Sequence, residues 1–321
     1  MNFPLFNRPG TIVFLDDDPD YLEMLSLMVP RKWYARLFTQ PRECIAALQS
    51  EVPFWEADAW TQQQLVDQWR AGKPLVPQIL DYWSRQTERF ALTRLFVVDF
   101  SMPGMDGLQV LGELIDWPGA RVLLTGQADD QVAINAFNAG LIEQFVPKQT
   151  ADISRHFIEV AERLLATPHT QHAQTWRATL NPDQLAFVRD PGVSRDLARL
   201  AASRWVEHVL IGDPFGILGL DAAGSASWLQ LEPTAGLHAL GEIAQFEGMD
   251  AATVADIRAG RKLANLEVAQ SLRLAPSLGD ATPLGSKGAL LGAFFSLETG
   301  PSGDAGYARW LARQPRRRIA G

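Results

Sequence analysis

Val97-Val-Asp-Phe-Ser-Met-Pro-Gly-Met-Asp-Gly107 is the stretch on which the reading of this chain turns. It follows directly on Leu95 and Phe96, so that Leu95-Phe-Val-Val98 is a short apolar, β-rich run that ends in Asp99. Such a run suits a strand buried on both faces. Met102-Pro103-Gly104 and then Asp106-Gly107 follow. Toward the N-terminus the same pattern recurs. Thr11-Ile-Val-Phe-Leu15 predicts a strand, and three aspartates, Asp16, Asp17 and Asp18, follow at once. Pro19 and Asp20 suit a first helical turn, where proline is tolerated and acids favour the dipole. Tyr21, Leu22, Leu25 and Met28 continue at helical spacing to Pro30, and a strand is predicted at Ala35 to Thr39. Toward the C-terminus, Arg121-Val-Leu-Leu124 predicts a fourth strand ending in Thr125. A helix over about Asp130 to Ala139 leads to a fifth strand at Ile142 to Val146, just before Lys148. A further helix runs from about Ile153 to Leu165, with Phe157, Val160, Ala161 and Leu164 on one face.

Strands that alternate with helices imply a doubly wound parallel sheet covered on both faces. Functional groups in such sheets gather beyond the carboxyl ends of the strands. Here those ends carry an acid pair, an aspartate, a threonine and a lysine. Carboxylates placed together repel one another unless a cation offsets them. A hard cation of the Mg2+ type is held by one or two carboxylates and retains several waters. An aspartate can act as nucleophile toward a phosphoryl group. Metal and lysine then neutralise the phosphoryl oxygens, with a hydroxyl nearby.

Residues 11–165 resemble the receiver domain of two-component response regulators. The resemblance is carried by Phe14-Leu-Asp-Asp-Asp-Pro-Asp20, Val97 to Gly107, Leu123-Leu-Thr-Gly126 and Phe145-Val-Pro-Lys148. It implies a five-stranded parallel sheet of the flavodoxin/CheY-like kind. It further implies Asp99 as phosphoacceptor, Asp16 and Asp17 as the acid pair, and Mg2+ held by Asp17, Asp99 and the carbonyl of Ser101. Thr125 would be the switch hydroxyl, with Gly126 leaving room for the phosphoryl oxygens. Lys148 would pair with the phosphate, and Phe145 would stand at the aromatic switch position. The implied partner is a sensor histidine kinase. In one respect the chain departs from the family, which normally has proline directly after the lysine. Here Gln149 follows Lys148 and Pro147 precedes it.

Between Asp17 and Asp99 lie 81 residues, about twice what one helix, one strand and another helix require. The excess falls at about residues 50–94, which hold four of the ten tryptophans: Trp55, Trp60, Trp69 and Trp83. Two helical patterns show there, Trp60 to Arg70 and Val76, Ile79, Leu80, Trp83, separated by Ala71-Gly-Lys-Pro74. The extension either packs on its own domain or offers a partner or dimer surface.

The expected domains are a receiver over 1–166 that includes the extension, a polar linker over 167–180 and an α+β output domain over 181–321. In the last, a helix is predicted from Pro191 to Trp205. A hairpin follows, with strands at Val209–Ile211, Gly216–Leu220 and Ser227–Leu231. Helices are predicted at Leu237 to Phe246 and Ala251 to Gln270, and strands at Ser271 to Leu274 and Leu290 to Leu297. The long extension and the unfamiliar output domain together resemble the layout of a small group of quorum-sensing response regulators, without a motif to carry it.

Charge and composition narrow the function. Residues 1–150 hold 12 Lys and Arg against 19 Asp and Glu; residues 151–321 hold 17 against 18. Neither half has the basic surplus of a nucleic-acid-binding domain. The basic tail, Arg309 to Arg318, reads as a solvated end. The expected output is therefore a protein contact or a homodimer, the latter through the charged face Arg155, Glu159 and Arg163. Phosphorylation-controlled DNA binding, with a faint helix-turn-helix at Thr253 to Leu272, is the alternative. After residue 150 no nucleophile–base pair or Gly-rich phosphate loop is found, so no enzymatic output beyond self-phosphorylation and slow self-dephosphorylation is expected. His208 and His238 are too isolated to suggest a site. Cys44 is the single cysteine, which excludes an internal disulfide framework. No apolar run is long enough to cross a bilayer and the N-terminus lacks a signal-peptide pattern. A cytoplasmic protein without membrane contact is expected.

Overall fold

Thr11–Leu15 is buried along its whole length and lies between two parallel partners, Tyr34–Phe38 and Thr93–Asp99. The computed structural model describes residues 3–126, 130–167, 169–297, 306–315 and 319–320. The chain forms two compact units, neither continuous in sequence.

The first unit comprises Pro9–Trp60, Glu88–His169 and Leu311–Gly321. Its sheet is parallel throughout, in the order Ile319–Ala320, Tyr34–Phe38, Thr11–Leu15, Thr93–Asp99, Ala120–Thr125, Gln144–Pro147. The five predicted strands are present in doubly wound order. The sixth, Ile319–Ala320, comes from the tail and was not foreseen. Of the basic cluster there, Arg309 and Arg313 are exposed, while 316–318 lie outside the described residues. Alternation along the strands supplies two cores at once. Val13, Leu15, Phe96, Val98 and Leu123 join Cys44, Ile45 and Leu48 of helix Pro41–Gln49 and Val110 and Leu111 of helix Gly107–Glu113. Ile12, Phe14, Leu95, Val97, Val122 and Leu124 join Leu22 and Leu25 of helix Pro19–Met28 and Phe157, Val160 and Ala161 of helix Ile153–Ala166. Each Val, Leu, Ile or Phe side chain so buried contributes about 1.5–3 kcal/mol. This two-sided demand is why the strands read as unbroken apolar runs.

The second unit comprises Met1–Arg8, Thr61–Thr87 and Thr170–Trp310. Its main sheet is antiparallel, in the order Phe6–Asn7, Glu207–Gly212, Phe215–Leu220, Ala226–Pro233, Leu290–Leu297, Thr282–Leu284. The predicted hairpin and the Leu290–Leu297 strand are found, and helices occupy Pro191–Arg204 and Leu237–Phe246.

The compact units cut across the expected domain boundaries. In helix Leu75–Arg85, Leu75, Val76, Ile79, Leu80, Tyr82 and Trp83 are buried, in one cluster with Val209, Leu218, Trp228 and Phe295 of the antiparallel sheet. Most of the extension therefore belongs with the C-terminal half, because its apolar stripe completes that core. The expected linker is also structured. Thr170–Arg177 is a helix whose His172, Thr175 and Trp176 are buried, and Trp176 donates to Gln62 Oε1 at 2.8 Å. The single helix expected over Ala251 to Gln270 is two, Ala251–Arg258 and Leu266–Leu272. Between them Gly260 takes φ +67° and Lys262–Ala264 pairs with Leu278–Asp280. A strand stands where a helix-turn-helix would have its turn. The strand expected at Ser271 to Leu274 is instead the end of the second helix, closed by Arg273 in the left-handed conformation. Among the described residues no helix is long and apolar enough to cross a membrane.

Candidate functional site

Strand register sets the site. Leu15 is level with Val98, Asp99 with Leu124, and Thr125 with Pro147. Asp16 and Asp99 each follow one member of the first pair, and Lys148 follows Pro147. These residues thus leave the sheet at one edge within a residue of one another. Backbone bonds pin the loops beyond: Phe100 N donates to Leu124 O (2.9 Å), Gly107 N to Phe100 O (2.9 Å) and Lys148 N to Thr125 O (2.8 Å). The glycine at 107 is required, since a Cβ there would lie 2.4 Å from the Asp99 carbonyl oxygen. Asp106 caps the helix that starts at Gly107 in a capping box with Gln109.

The three consecutive aspartates differ in their surroundings. Asp16 is buried, and its Oδ1 accepts from Asp18 N at 3.0 Å. Asp18 caps helix Pro19–Met28, accepting from Asp20 N and Tyr21 N. Asp17 is exposed. Lys148 Nζ lies 2.8 Å from Asp16 Oδ2 and 2.8 Å from Asp99 Oδ1. Burial raises the Asp16 carboxyl above its usual range, and the bond to Lys148 offsets only part of that. For Lys148 burial works toward a lower value, but hydrogen bonds to two carboxylates outweigh it and the ammonium is held above the usual lysine value. Thr125 Oγ1 is buried and makes no hydrogen bond among the described residues. Phe145 is half-buried against the core beneath the sheet. Ser101 is exposed in the loop after Asp99, and Gly126 is half-buried.

Asp16, Asp17 and Asp99 each offer an oxygen within 4.8 Å of the others. That spacing is little more than twice the Mg–O distance of about 2.1 Å. Three hard oxygen donors, two of them buried carboxylates held together by one ammonium, fit a small divalent cation.

No protein-family model matches the chain, and no curated protein matches it. Among solved structures, the response regulator LqsR of Legionella pneumophila superposes with a TM-score of 0.74 at 22% identity, covering 98% of both chains. The fold is that of LqsR. The likeness extends over both units, including the C-terminal half whose sequence matches no familiar output module. A receiver domain protein of Clostridium thermocellum (TM-score 0.30, 17% identity, 48% of this chain and 95% of that one) lies among the other matches. So does a CheY-like receiver domain protein of Methanospirillum hungatei (0.31, 15%, 49% and 94%). Neither adds weight at such scores.

Tyr21, which the sequence reads only as a member of the apolar helix face, has its ring centroid 4.4 Å from Lys148 Nζ. The signal was its place in the first turn after the acid pair, where a helix starting from a strand end presents side chains to that end.

Proposed function

We propose that this chain is a response regulator of a two-component phosphorelay, which accepts a phosphoryl group on Asp99 from a histidine kinase and signals through its second unit by dimerisation or partner binding. The observation that carries the reading is the Lys148 ammonium set 2.8 Å from both Asp16 and Asp99 at the carboxyl edge of the sheet. Lys148 holds Asp99 Oδ1 in place and offers positive charge where phosphoryl oxygens arrive. The Asp99 oxygen forms the new bond to phosphorus as the phosphorus–nitrogen bond of the donor phosphohistidine breaks, and the leaving imidazole nitrogen takes up a proton. Mg2+, when held by Asp17, Asp99 and the Ser101 carbonyl, supplies further charge against the phosphoryl oxygens.

Thr125 Oγ1, without a partner among the described residues, donates to the phosphoryl group, for which Gly126 leaves room, and Phe145 follows its movement. A packed element with two arrangements carries that shift outward. The exposed face of helix Ile153–Ala166, with Arg155, Glu159 and Arg163, is the surface assigned to a charge-paired dimer.

The test is incubation with acetyl phosphate, followed by intact-mass measurement with and without Mg2+. One hydroxylamine-labile phosphate per chain, present only with the metal, is the expected result; no uptake under either condition sinks the reading. Of the acid pair, Asp17 is the proposed direct ligand, because both oxygens of Asp16 already accept hydrogen bonds. Asp17→Asn should weaken Mg2+ binding about tenfold or more, roughly 1.4 kcal/mol or above, and Asp16→Asn less, in a tryptophan-fluorescence titration. Equal losses would remove that assignment.

A further inference from the structure

Beside Asp99, the proposed acceptor on which the following rests, stands a hydroxyl the phosphotransfer does not use. Asp18 caps helix Pro19–Met28 by accepting from the backbone N–H of Asp20 and of Tyr21. The cap pins the first helical turn beside the strand end that carries Asp16. Tyr21 packs one part of its ring on the apolar core under that helix and presents the ring face to Lys148 Nζ at 4.4 Å. Its hydroxyl is buried and makes no hydrogen bond among the described residues. A buried hydroxyl left in this state is destabilising, so the position gains if a ligand completes it. The fields of Asp16 and Asp99 reach this phenol and, after burial, add to the upward shift of its pKa. The hydroxyl therefore keeps its proton and can serve as a donor where the fields of two carboxylates already reach. Thr125 Oγ1 is in the same condition at the end of the strand next to the one that carries Asp99.

We propose that Tyr21 is a further phosphoryl-site residue, whose hydroxyl donates a hydrogen bond to an oxygen of the group bound at Asp99 while its ring keeps Lys148 in position. A hydrogen bond to a charged acceptor is among the stronger kinds. Tyr21→Phe keeps the ring and removes the donor, so it isolates the hydroxyl from the packing. The probe is beryllofluoride with Mg2+, followed on the full chain by 19F NMR. A separate Mg2+ titration and a thermal melt serve as controls that a structural role alone would move. Tyr21→Phe should bind beryllofluoride about tenfold more weakly, the scale of one hydrogen bond to a charged group, and take up phosphate from acetyl phosphate correspondingly more slowly. Its Mg2+ affinity should match wild type, and its melting temperature without ligand should be no lower than wild type, since the substitution removes an unpartnered buried hydroxyl. A Tyr21→Phe chain that binds the probe as wild type does overturns this inference alone. A wild-type chain that binds none overturns the Asp99 reading and this inference with it.

Discussion

Asp99→Asn should abolish phosphoryl uptake. The amide is nearly the same size as the carboxylate, so Phe100 N–H can still donate to Leu124 O and Gly107 can still close against the Asp99 backbone. Lys148 also retains its second partner, Asp16 Oδ2 at 2.8 Å, and so does not become a buried charge without a counter-ion. The fold is therefore expected to persist while the chemistry stops. What disappears is the anionic oxygen proposed as the nucleophile toward phosphorus and one of the three carboxylates that fit a divalent cation. Loss of a nucleophile from a working site lowers rates by about 10⁴-fold or more, which places uptake from acetyl phosphate below detection. Intact-mass measurement after hydroxylamine treatment reads this directly. Phosphate still found on the Asp99→Asn chain at the wild-type level would move the acceptor to another residue.

Trp83→Ala should destabilise the second unit by about 3–5 kcal/mol, the range for truncating a buried aromatic. The indole is among the largest fully buried side chains of the protein and lies in one cluster with Trp228, Val209 and Leu218 of the antiparallel sheet. Domain stabilities are about 5–15 kcal/mol, so the loss is a large share of the total. Trp60 is the internal control. It stands on the Val52–Arg70 helix of the same extension, but at 64% exposure, and its alanine variant should change stability by no more than about 0.5 kcal/mol. Urea unfolding of the two variants separates a core role from an interface role. If Trp83→Ala left the midpoint near wild type and instead dissociated a dimer, the extension would be an interface and not part of a core.

These two residues mark how far the sequence could be read. The place of Asp99 at a strand end was legible because the evidence for it is local. A strand covered on both faces must be apolar at every position, so Leu95 to Val98 and Thr11 to Leu15 announce themselves, and the polar residue that ends each run falls at the carboxyl edge of the sheet. The parallel register then does the rest, since neighbouring strands that begin level also end level. The reasons for Gly107 and Asp106, a close approach to the Asp99 carbonyl and a helix cap, were visible only in the structure.

The tertiary structure alone decided where the extension goes. The pattern Val76, Ile79, Leu80, Trp83 states that one helix face is buried, but an apolar stripe carries no information about which surface covers it. That surface is built from strands more than a hundred residues away in the chain. The same holds for Trp176 in the expected linker, whose partner Gln62 lies in the extension, and for Ile319–Ala320, which adds to the parallel sheet from the tail. It holds also for Tyr21, whose helical spacing and apolar ring describe its packing and not the ammonium it faces. Periodicity and turn chemistry are set by neighbours in sequence. Burial partners are set by contacts between distant segments, and only folding brings those together.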